Sequence, residues 1–201
     1  MYFSYYEKIG DECLCIDDSI PFDIPDGWEW IRLGTIIDIE RGGSPRPIKA
    51  FITTELNGVN WIKIGDVEKG GKYIYQTHEK IKPEGKSKSR EVFPGDFLLT
   101  NSMSFGRPYI SKINGCIHDG WLVLRNPDKA FDINYLYYLL SSKYVFTQFT
   151  IKASGSTVDN LNIDKVSDAI IPLPPLSEQS RIADEIEHTL GIVEQVEASL
   201  S

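Results

Sequence analysis

The 201-residue sequence contains only three cysteines, Cys13, Cys15 and Cys116. A small, odd number of cysteines does not suggest the disulfide framework of a small secreted domain. No run of about 18 apolar residues is present, so we expect no membrane-spanning helix. The first residues lack a basic start followed by an apolar stretch, so we also expect no signal peptide and a cytoplasmic location.

The sequence also lacks the short motifs of several enzyme classes. It contains no Gly-x4-Gly-Lys-Ser/Thr loop, which excludes this type of nucleotide motor. The nearest match to an adenine methyltransferase motif begins at Asn126, and it lacks the aromatic residue that would hold a base. We interpret this stretch as a turn, and we expect no catalytic residues and no cofactor.

Two weak patterns raise the possibility of a metal site. Asp66, Glu84 and Lys86 imitate the residues of a Mg²⁺-dependent nuclease, in which carboxylates hold the ion and a lysine assists the attacking water. However, Pro83 and Gly85 predict that Glu84 lies in a loop and not on a strand. The Cys-x-Cys spacing is too short for a typical zinc site. We expect no bound metal and keep the nuclease as the less favoured alternative.

Charge is distributed unevenly along the chain, whose formal net charge is −8. Residues 41–107 hold 12 basic and 7 acidic side chains, a net charge of +5, whereas residues 1–40 carry −8 and residues 177–201 carry −5. DNA affinity depends on which phosphates are neutralised locally, so a basic middle permits a DNA-facing surface. A solvated lysine-rich loop explains the same charges equally well.

The pattern of apolar residues predicts an α+β fold with three regions. Residues 1–24 read as an acidic, extended lead-in, residues 25–175 as a domain, and residues 176–201 as a helix. Short apolar runs between Gly, Pro and Asn clusters predict strands at 30–33, 36–40, 61–64, 73–75, 97–100, 109–113 and 121–125. Asp132 is the predicted cap of a helix whose apolar face runs from Leu136 to Phe149.

The last 25 residues have the pattern of an amphipathic helix, which Ser177 is predicted to cap. The apolar stripe at helical spacing consists of Ile182, Ile186, Leu190, Val193, Val196 and Leu200. Such a stripe is typical of a helix face that packs on its own domain or of a coiled-coil seam. Both remain open at this point.

Five separated stretches together resemble a known family. They are residues 24–34 (IPDGWEWIRLG), 42–45 (GGSP), 61–66 (WIKIGD), 155–157 (GST) and 171–182 (IPLPPLSEQSRI). Their order and spacing resemble those of the specificity subunits of Type I restriction–modification systems. The run Leu-Pro-Pro-Leu-x-Glu-Gln leading into a helix is the most specific element of this resemblance.

The resemblance implies a target recognition domain with a twisted mixed β-sheet and flanking helices. A long C-terminal helix would follow and pair in an antiparallel coiled coil. Such subunits carry two recognition domains, each reading one half of a bipartite site in double-stranded DNA. They direct the methyltransferase and endonuclease subunits, which would hold the S-adenosylmethionine, ATP and Mg²⁺. This sequence has one such domain, so we expect a half-subunit that self-associates or a fragment.

The residues expected to contact DNA fall into three groups. Phosphate contacts are assigned to basic side chains, because these positions fix orientation: Arg41, Arg46, Lys49, Lys63, Lys69, Lys72, Lys86 and Lys88. Base reading is assigned to polar types that match base edges: Arg90, Asn101, Ser102, Ser104 and Arg107. The family-like loops add Ser44, Ser154, Ser156 and Thr157. Asn101 and the serines are more typical of a turn than of base reading, and a protein-interaction module without DNA binding remains an alternative function.

Overall fold

The computed structural model describes residues 4–68, 70–102, 105–126, 128–153 and 161–200. Among these residues the strands are β1 (Tyr6–Ile9), β2 (Glu12–Cys15), β3 (Glu29–Arg32), β4 (Asp38–Arg41), β5 (Ile52–Thr53), β6 (Val59–Ile62), β7 (Tyr73–Ile74), β8 (Glu79–Ile81), β9 (Arg90–Val92), β10 (Phe97–Thr100), β11 (Pro108–Ser111), β12 (Gly115–Ile117), β13 (Trp121–Arg125) and β14 (Ile170–Leu173). The helices are α1 (Ile133–Ser141), α2 (Lys143–Ala153), α3 (Ile163–Ser167) and α4 (Leu176–Leu200). In the described part of the chain, no helix is both long enough and apolar enough to cross a membrane.

Most strands belong to two mixed five-stranded sheets, where one sheet was expected. Sheet I has the order β4-β13-β10-β11-β7, and its β11–β7 pair is parallel. Sheet II has the order β5-β8-β6-β12-β9, and its β6–β12 pair is parallel. The chain passes repeatedly from one sheet to the other, so the loops between β4 and β5 and between β12 and β13 join the two layers.

Sheet I is buried on both faces, and this follows from alternation along its central strands. Leu98 pairs with Val123 and Leu99 with Leu122 in the β10–β13 ladder. Leu98 and Val123 belong to the core between the two sheets, whereas Leu99 and Leu122 belong to the core under the helices. Successive side chains of a strand point to opposite faces, so these continuous apolar runs fit a sheet covered on both sides.

The helices α1 and α2 cover the outer face of sheet I. Asp132 caps α1 as predicted, because its Oδ1 accepts hydrogen bonds from the backbone N–H groups of Asn134 and Tyr135 at 2.9 and 3.0 Å. The single helix that we predicted is two helices, since the backbone at Ser142 is extended. Leu136 and Phe149 are both fully buried, and burying such side chains contributes roughly 1.5–3 kcal/mol each.

The base of α4 is fastened to the domain by a buried amide. Gln179 is 0% exposed. Its Oε1 accepts from the Asp132 N–H at 2.8 Å, and its Nε2 donates to the carbonyl oxygens of Ala130 and Pro174 at 3.0 and 2.9 Å. The helix begins at Leu176, so the prediction that Ser177 is its cap was wrong. The Glu-Gln motif therefore joins α4 to the start of α1.

The first 24 residues are more structured than a simple lead-in. The strands β1 and β2 form an antiparallel hairpin. Glu7 of this hairpin accepts a hydrogen bond from Arg32 Nη2 at 2.8 Å. This ion pair ties the hairpin to β3, which pairs with β14 next to the base of α4. The hairpin was not predicted because its few apolar residues do not alternate with polar ones.

Candidate nucleic-acid interface

The glycine-rich loop that follows β4 lies across the junction of the two sheets. The Gly42 N–H donates to the Trp121 carbonyl at 2.9 Å, and the Gly43 N–H donates to the Ile117 carbonyl at 3.2 Å. A Cβ at Gly42 would lie 2.0 Å from the His118 carbonyl oxygen, so only glycine allows this approach. These N–H groups already donate hydrogen bonds within the protein, so they are not available to a ligand. The side chains that follow them in the loop are the groups that a ligand can contact.

Four predicted residues meet at an aspartate that we had not selected. The Ser44 hydroxyl donates to Asp119 Oδ1 at 2.8 Å, and Arg46 Nη2 lies 3.7 Å from Oδ2. The Asp119 carbonyl oxygen accepts from Asn101 Nδ2 at 2.8 Å and from Arg41 Nε at 3.3 Å. We name these five residues the Asp119 cluster. The Ser44 hydrogen bond is the main reason why the pKa of Asp119 is lowered, with His118 and Arg46 adding to it.

His118 supports the same turn from inside. Its Nδ1 accepts from the Gly120 N–H at 2.7 Å, and its ring lies 6.2 Å from that of Trp61. Burial lowers the pKa of His118, although Asp119 opposes this shift. The ring is therefore neutral at pH 7, and it holds the backbone on which Asp119 is placed.

An open cleft with a volume of about 840 Å³ lies beside the Asp119 cluster. Arg46, Lys49 and Lys63 line it together with the rings of Trp61 and His118. Three cations therefore surround a partly apolar depression. This arrangement suits a polyanionic ligand whose flat groups reach the floor of the cleft.

Lys88 extends this positive surface on the far side of the glycine-rich loop. A Cβ at Gly43 would lie 3.1 Å from the Lys88 carbonyl oxygen, so the two backbones are adjacent. The Lys88 ammonium lies 5.0 Å from the centre of the Phe51 ring, and its side chain is exposed. We name Arg41, Arg46, Lys49, Lys63 and Lys88 the basic face.

Three predicted cations have carboxylate partners on the surface. The pairs, with their N–O distances, are Lys63 with Glu79 at 2.9 Å, Lys86 with Glu91 at 2.8 Å and Arg90 with Glu40 at 2.9 Å. Partly exposed pairs of this kind stabilise a protein by about 0–1 kcal/mol. A phosphate can therefore replace such a carboxylate at small cost.

Lys72 is placed differently, and we remove it from the predicted phosphate contacts. Its ammonium donates to Glu187 Oε1 at 2.7 Å and to Asn134 Oδ1 at 2.8 Å, and it lies 5.0 and 4.9 Å from the ring centres of Tyr137 and Tyr138. We name these five residues the Lys72 clamp. Burial by itself lowers the pKa of Lys72, but the hydrogen bond to Glu187 and the nearby tyrosines outweigh it and raise the pKa.

The remaining predicted residues are scattered. Asn101 is 1% exposed, so it supports Asp119 and offers no surface to a base. Ser102 is half-buried, and the exposed Arg107 lines a separate cavity of about 350 Å³ with Tyr137 and Phe146. The other predictions lie outside the described residues, namely Lys69, Ser104, Ser154, Ser156 and Thr157.

The geometry speaks against the nuclease alternative. The side chain of Asp66 is 1% exposed. Its Oδ2 accepts from the Lys63 N–H at 2.7 Å, and its Oδ1 accepts from the His78 N–H at 3.0 Å. Lys86 is paired with Glu91. Within the ranges that the structure describes, no group of three or more His, Cys, Asp or Glu side chains is arranged to hold a metal ion.

Asp119 and His118 were not predicted as site residues, because the strand β12 that precedes them was not predicted. The polar pair follows directly on this short strand of apolar residues and precedes Gly120 and β13. A His-Asp-Gly turn between two buried strands was the available signal. Its weakness is that such turns are common connections with no ligand.

The apolar stripe of α4 is buried only near the base of the helix. Ile182 packs against the core under the helices. The later stripe residues are Leu190 and Val193, each 47% exposed, Val196 at 52% and Leu200 at 83%. In the described chain nothing covers this second half of the stripe. The prediction that it pairs with another helix stays a prediction.

Comparison with known proteins gives a consistent match. Residues 25–197 match the family model described as the Type I restriction modification DNA specificity domain. The Type I restriction enzyme EcoBI specificity subunit of Escherichia coli is 25% identical over 181 residues, which cover 88% of this chain and 35% of that protein. The MjaVIII specificity subunit of Methanocaldococcus jannaschii is 26% identical over 182 residues, which cover 85% of this chain and 38% of that protein. The chain thus spans less than half the length of these relatives.

A solved structure supports the architecture. The crystal structure of the HsdS subunit from Thermoanaerobacter tengcongensis matches with a TM-score of 0.70 and 24% identity, over 90% of this chain and 42% of that one. At this identity the likeness concerns the fold alone. It confirms the α+β prediction of mixed sheets with flanking helices and a long C-terminal helix.

Proposed function

The chain belongs to the family of Type I restriction modification DNA specificity domains, and from this premise we propose that it recognises a short sequence in double-stranded DNA. It would read one half of a bipartite site and direct a methyltransferase and an endonuclease subunit to it. The chain itself would be non-catalytic, since its role is to select the site. S-adenosylmethionine, ATP and Mg²⁺ would be bound by the partner subunits.

The observation that carries this proposal is the convergence of the basic face on the Asp119 cluster. Arg41 ends β4, Ser44 and Arg46 come from the loop that follows it, and all three reach Asp119 of another loop, while Lys63 directly follows β6. Side chains from separate parts of the sequence thus share one open surface. Such a surface fits the two tasks of a specific DNA-binding protein, which are phosphate positioning and base reading.

We assign the two tasks to different depths of this surface. Arg46 is 83% exposed, and Lys49 and Lys88 are also exposed, so they can follow a phosphate backbone. Lys63, Ser44 and Asp119 are only half-exposed, and we assign the edges of the bases to them. Each phosphate that is neutralised adds a salt-dependent contribution to affinity.

The second half of α4 is the proposed joint to another half-subunit. Its exposed stripe from Leu190 to Leu200 has the apolar spacing of a coiled-coil seam. Pairing with a second copy or with a second specificity half would set the distance between two recognition surfaces by helix length, at about 1.5 Å per residue. We also place the contact with the methyltransferase subunit on this helical region.

A protein-interaction module without DNA binding is the second candidate. It is favoured by the same exposed stripe and by the net charge of −5 over residues 177–201. The two candidates differ at the basic face, which the interaction module does not use. Any binding by that module would therefore be insensitive to substitutions at Arg46 and Lys49.

The experiment is a selection from random duplex DNA at moderate salt, with the chain assembled with the methyltransferase subunit of its own system. We expect one short motif to be enriched, and a mirrored pair of motifs at fixed spacing if two copies pair through α4. A well-formed complex that enriches no motif would contradict the proposed function and favour the interaction module.

A further inference from the structure

A carboxylate lies in the middle of the basic face. The side chain of Asp119 is 47% exposed. Its pKa is lowered, so it carries a negative charge at pH 7. On a surface that approaches DNA phosphates, such a charge is repelled and lowers affinity. A hydrogen-bond donor on the DNA that meets the carboxylate would offset this repulsion.

Several hydrogen bonds fix the backbone that carries this carboxylate. The Asp119 carbonyl is held by Asn101 and Arg41, and the Asn101 N–H donates to the Gly120 carbonyl at 3.0 Å. The Trp121 N–H closes the turn on the His118 carbonyl at 3.2 Å. Because the backbone is fixed before any ligand arrives, little conformational entropy is lost when the carboxylate binds.

The carboxylate keeps free acceptor capacity. Ser44 occupies one position on Oδ1, which also lies 3.6 Å from His118 Nδ1, and the backbone N–H of Asp119 donates to the carboxylate. The contact to Oδ2 is Arg46 at 3.7 Å. An ionised carboxylate offers about four acceptor positions. The exposed Arg46 side chain is free to turn toward a phosphate, and Oδ2 is then open to a donor.

Duplex DNA offers a small set of such donors. In the major groove, the donors on base edges are the N4 amino group of cytosine and the N6 amino group of adenine, and aspartate accepts from the former. The oxygen atoms of guanine and thymine at the same depth would repel a carboxylate. A fixed carboxylate therefore discriminates between bases as well as binding one of them.

We propose that Asp119 is a specificity-determining residue that accepts a hydrogen bond from the exocyclic amino group of one base in the recognised half-site. The base is cytosine or adenine, and the oxygen-bearing edges of guanine and thymine are rejected at that position. This inference rests on the proposed function and adds to it a residue and a class of base edge. In this role Ser44 is a positioning residue that orients the carboxylate.

The opposing view is that Asp119 only positions Ser44 and Arg46. Under that view, replacing Asp119 weakens binding to every sequence alike. Under our proposal, the loss is confined to duplexes that carry the amino group. The two views are separated by removing the amino group from the DNA as well as the carboxylate from the protein.

The test uses the assembled complex and the motif obtained by selection. At each cytosine or adenine of the motif, the amino group is removed by placing a 2-pyrimidinone or purine base there. For the unsubstituted chain we expect one position at which this removal weakens binding about 10-fold. For Asp119→Ala, the same removal should cost nothing further at that position. Ser44→Ala, which keeps the carboxylate, should retain most of the 10-fold effect.

A second variant at this position tests whether the result for Asp119→Ala comes from loss of the carboxylate or from misfolding. Asp119→Asn keeps the size of the side chain and an acceptor oxygen but loses the charge. Charge-assisted hydrogen bonds are roughly twice as strong as neutral ones, so the 10-fold effect should fall to about 3-fold. If both variants respond to removal of the amino group as the unsubstituted chain does, at every position of the motif, the inference is wrong and the proposed function stands. If no motif is selected at all, both fail.

Discussion

The Lys72 clamp and the Asp119 cluster are built from the same kinds of groups but differ in how completely these groups are satisfied. In the clamp, the Lys72 side chain is 16% exposed, and its ammonium has two hydrogen-bond acceptors and lies over three aromatic rings, those of Tyr73, Tyr137 and Tyr138. In the cluster, the Arg46 side chain is 83% exposed and lies 3.7 Å from its partner. The first arrangement holds α4 on the domain, and the second leaves charge available to a ligand.

A basic residue in a basic stretch of the sequence is therefore not necessarily a DNA contact. Lys72 and Lys49 lie in the same positively charged part of the sequence. Their roles diverge because Lys72 precedes a short strand that runs beneath α1, whereas Lys49 follows the glycine-rich loop and its side chain is exposed. Changes on the clamp side should therefore affect stability, and changes on the cluster side should affect binding.

The largest effect on stability is expected at Gln179, which fastens α4 next to the clamp. Gln179→Leu leaves the Asp132 N–H and the carbonyl oxygens of Ala130 and Pro174 without their buried partner. Each such loss costs roughly 1–3 kcal/mol, so we expect the free energy of unfolding to fall by about 3 kcal/mol. Urea denaturation measures this change, and Ser180→Ala on the exposed side of α4 is the control. A loss below about 1 kcal/mol would contradict the anchoring role.

A smaller effect is expected when the clamp itself loses its charge. Lys72→Met keeps the apolar stem but removes the ion pair and the cation–π contacts. Glu187 is 45% exposed and remains solvated, so we expect a loss of about 1–2 kcal/mol. Lys112 is an exposed cation 4.4 Å from the centre of the Tyr73 ring, and Lys112→Met is the matched control with a loss of about 0.5 kcal/mol. An equal loss of stability in the two variants would show that Lys72 contributes no more than an exposed surface lysine, which would contradict the role of the clamp.

The smallest effect on folding is expected in the second half of α4. The double change Leu190→Lys and Val193→Lys alters side chains that are each 47% exposed, so the stability of the single chain should change by less than about 0.5 kcal/mol. Pairing through the stripe should be lost, because charges at a seam are not compatible with burial. Sedimentation measures the molecular mass. A mass that the double change does not alter would contradict the proposed joint.

The sequence was sufficient to predict the elements with strong local patterns. The strands at 97–100 and 121–125 match β10 and β13 in both bounds, because their apolar runs are continuous and end at polar turns. The cap at Asp132 was predicted correctly for the same local reason. Among the tyrosines of α1 and α2, Tyr135, Tyr137, Tyr138 and Tyr144 pack in or against the core under the helices.

What depends on distant parts of the chain was not predictable. Strands such as β5 and β8 have two or three residues, and such short strands exist only because neighbours in sheet II pair with them. In the Asp119 cluster, Arg41, Ser44 and Arg46 lie 73 to 78 positions before Asp119 in the sequence, and Asn101 lies 18 positions before it. Likewise, the separation of Lys72 from the basic face follows from its contact with Glu187, 115 residues later.

Whether the basic face binds DNA is decided by the salt dependence of DNA affinity in two charge-matched double variants. One is Arg46→Ala with Lys49→Ala on the basic face, and the other is Lys112→Ala with Lys143→Ala, two exposed cations outside it. Each phosphate contact contributes about 0.9 to the slope of log affinity against log salt. We predict that the first variant makes this negative slope shallower by about 1.8 and leaves the free energy of unfolding unchanged. The second variant should keep the slope of the unsubstituted chain. Equal slopes in all three proteins would contradict the claim that the face around Asp119 binds DNA.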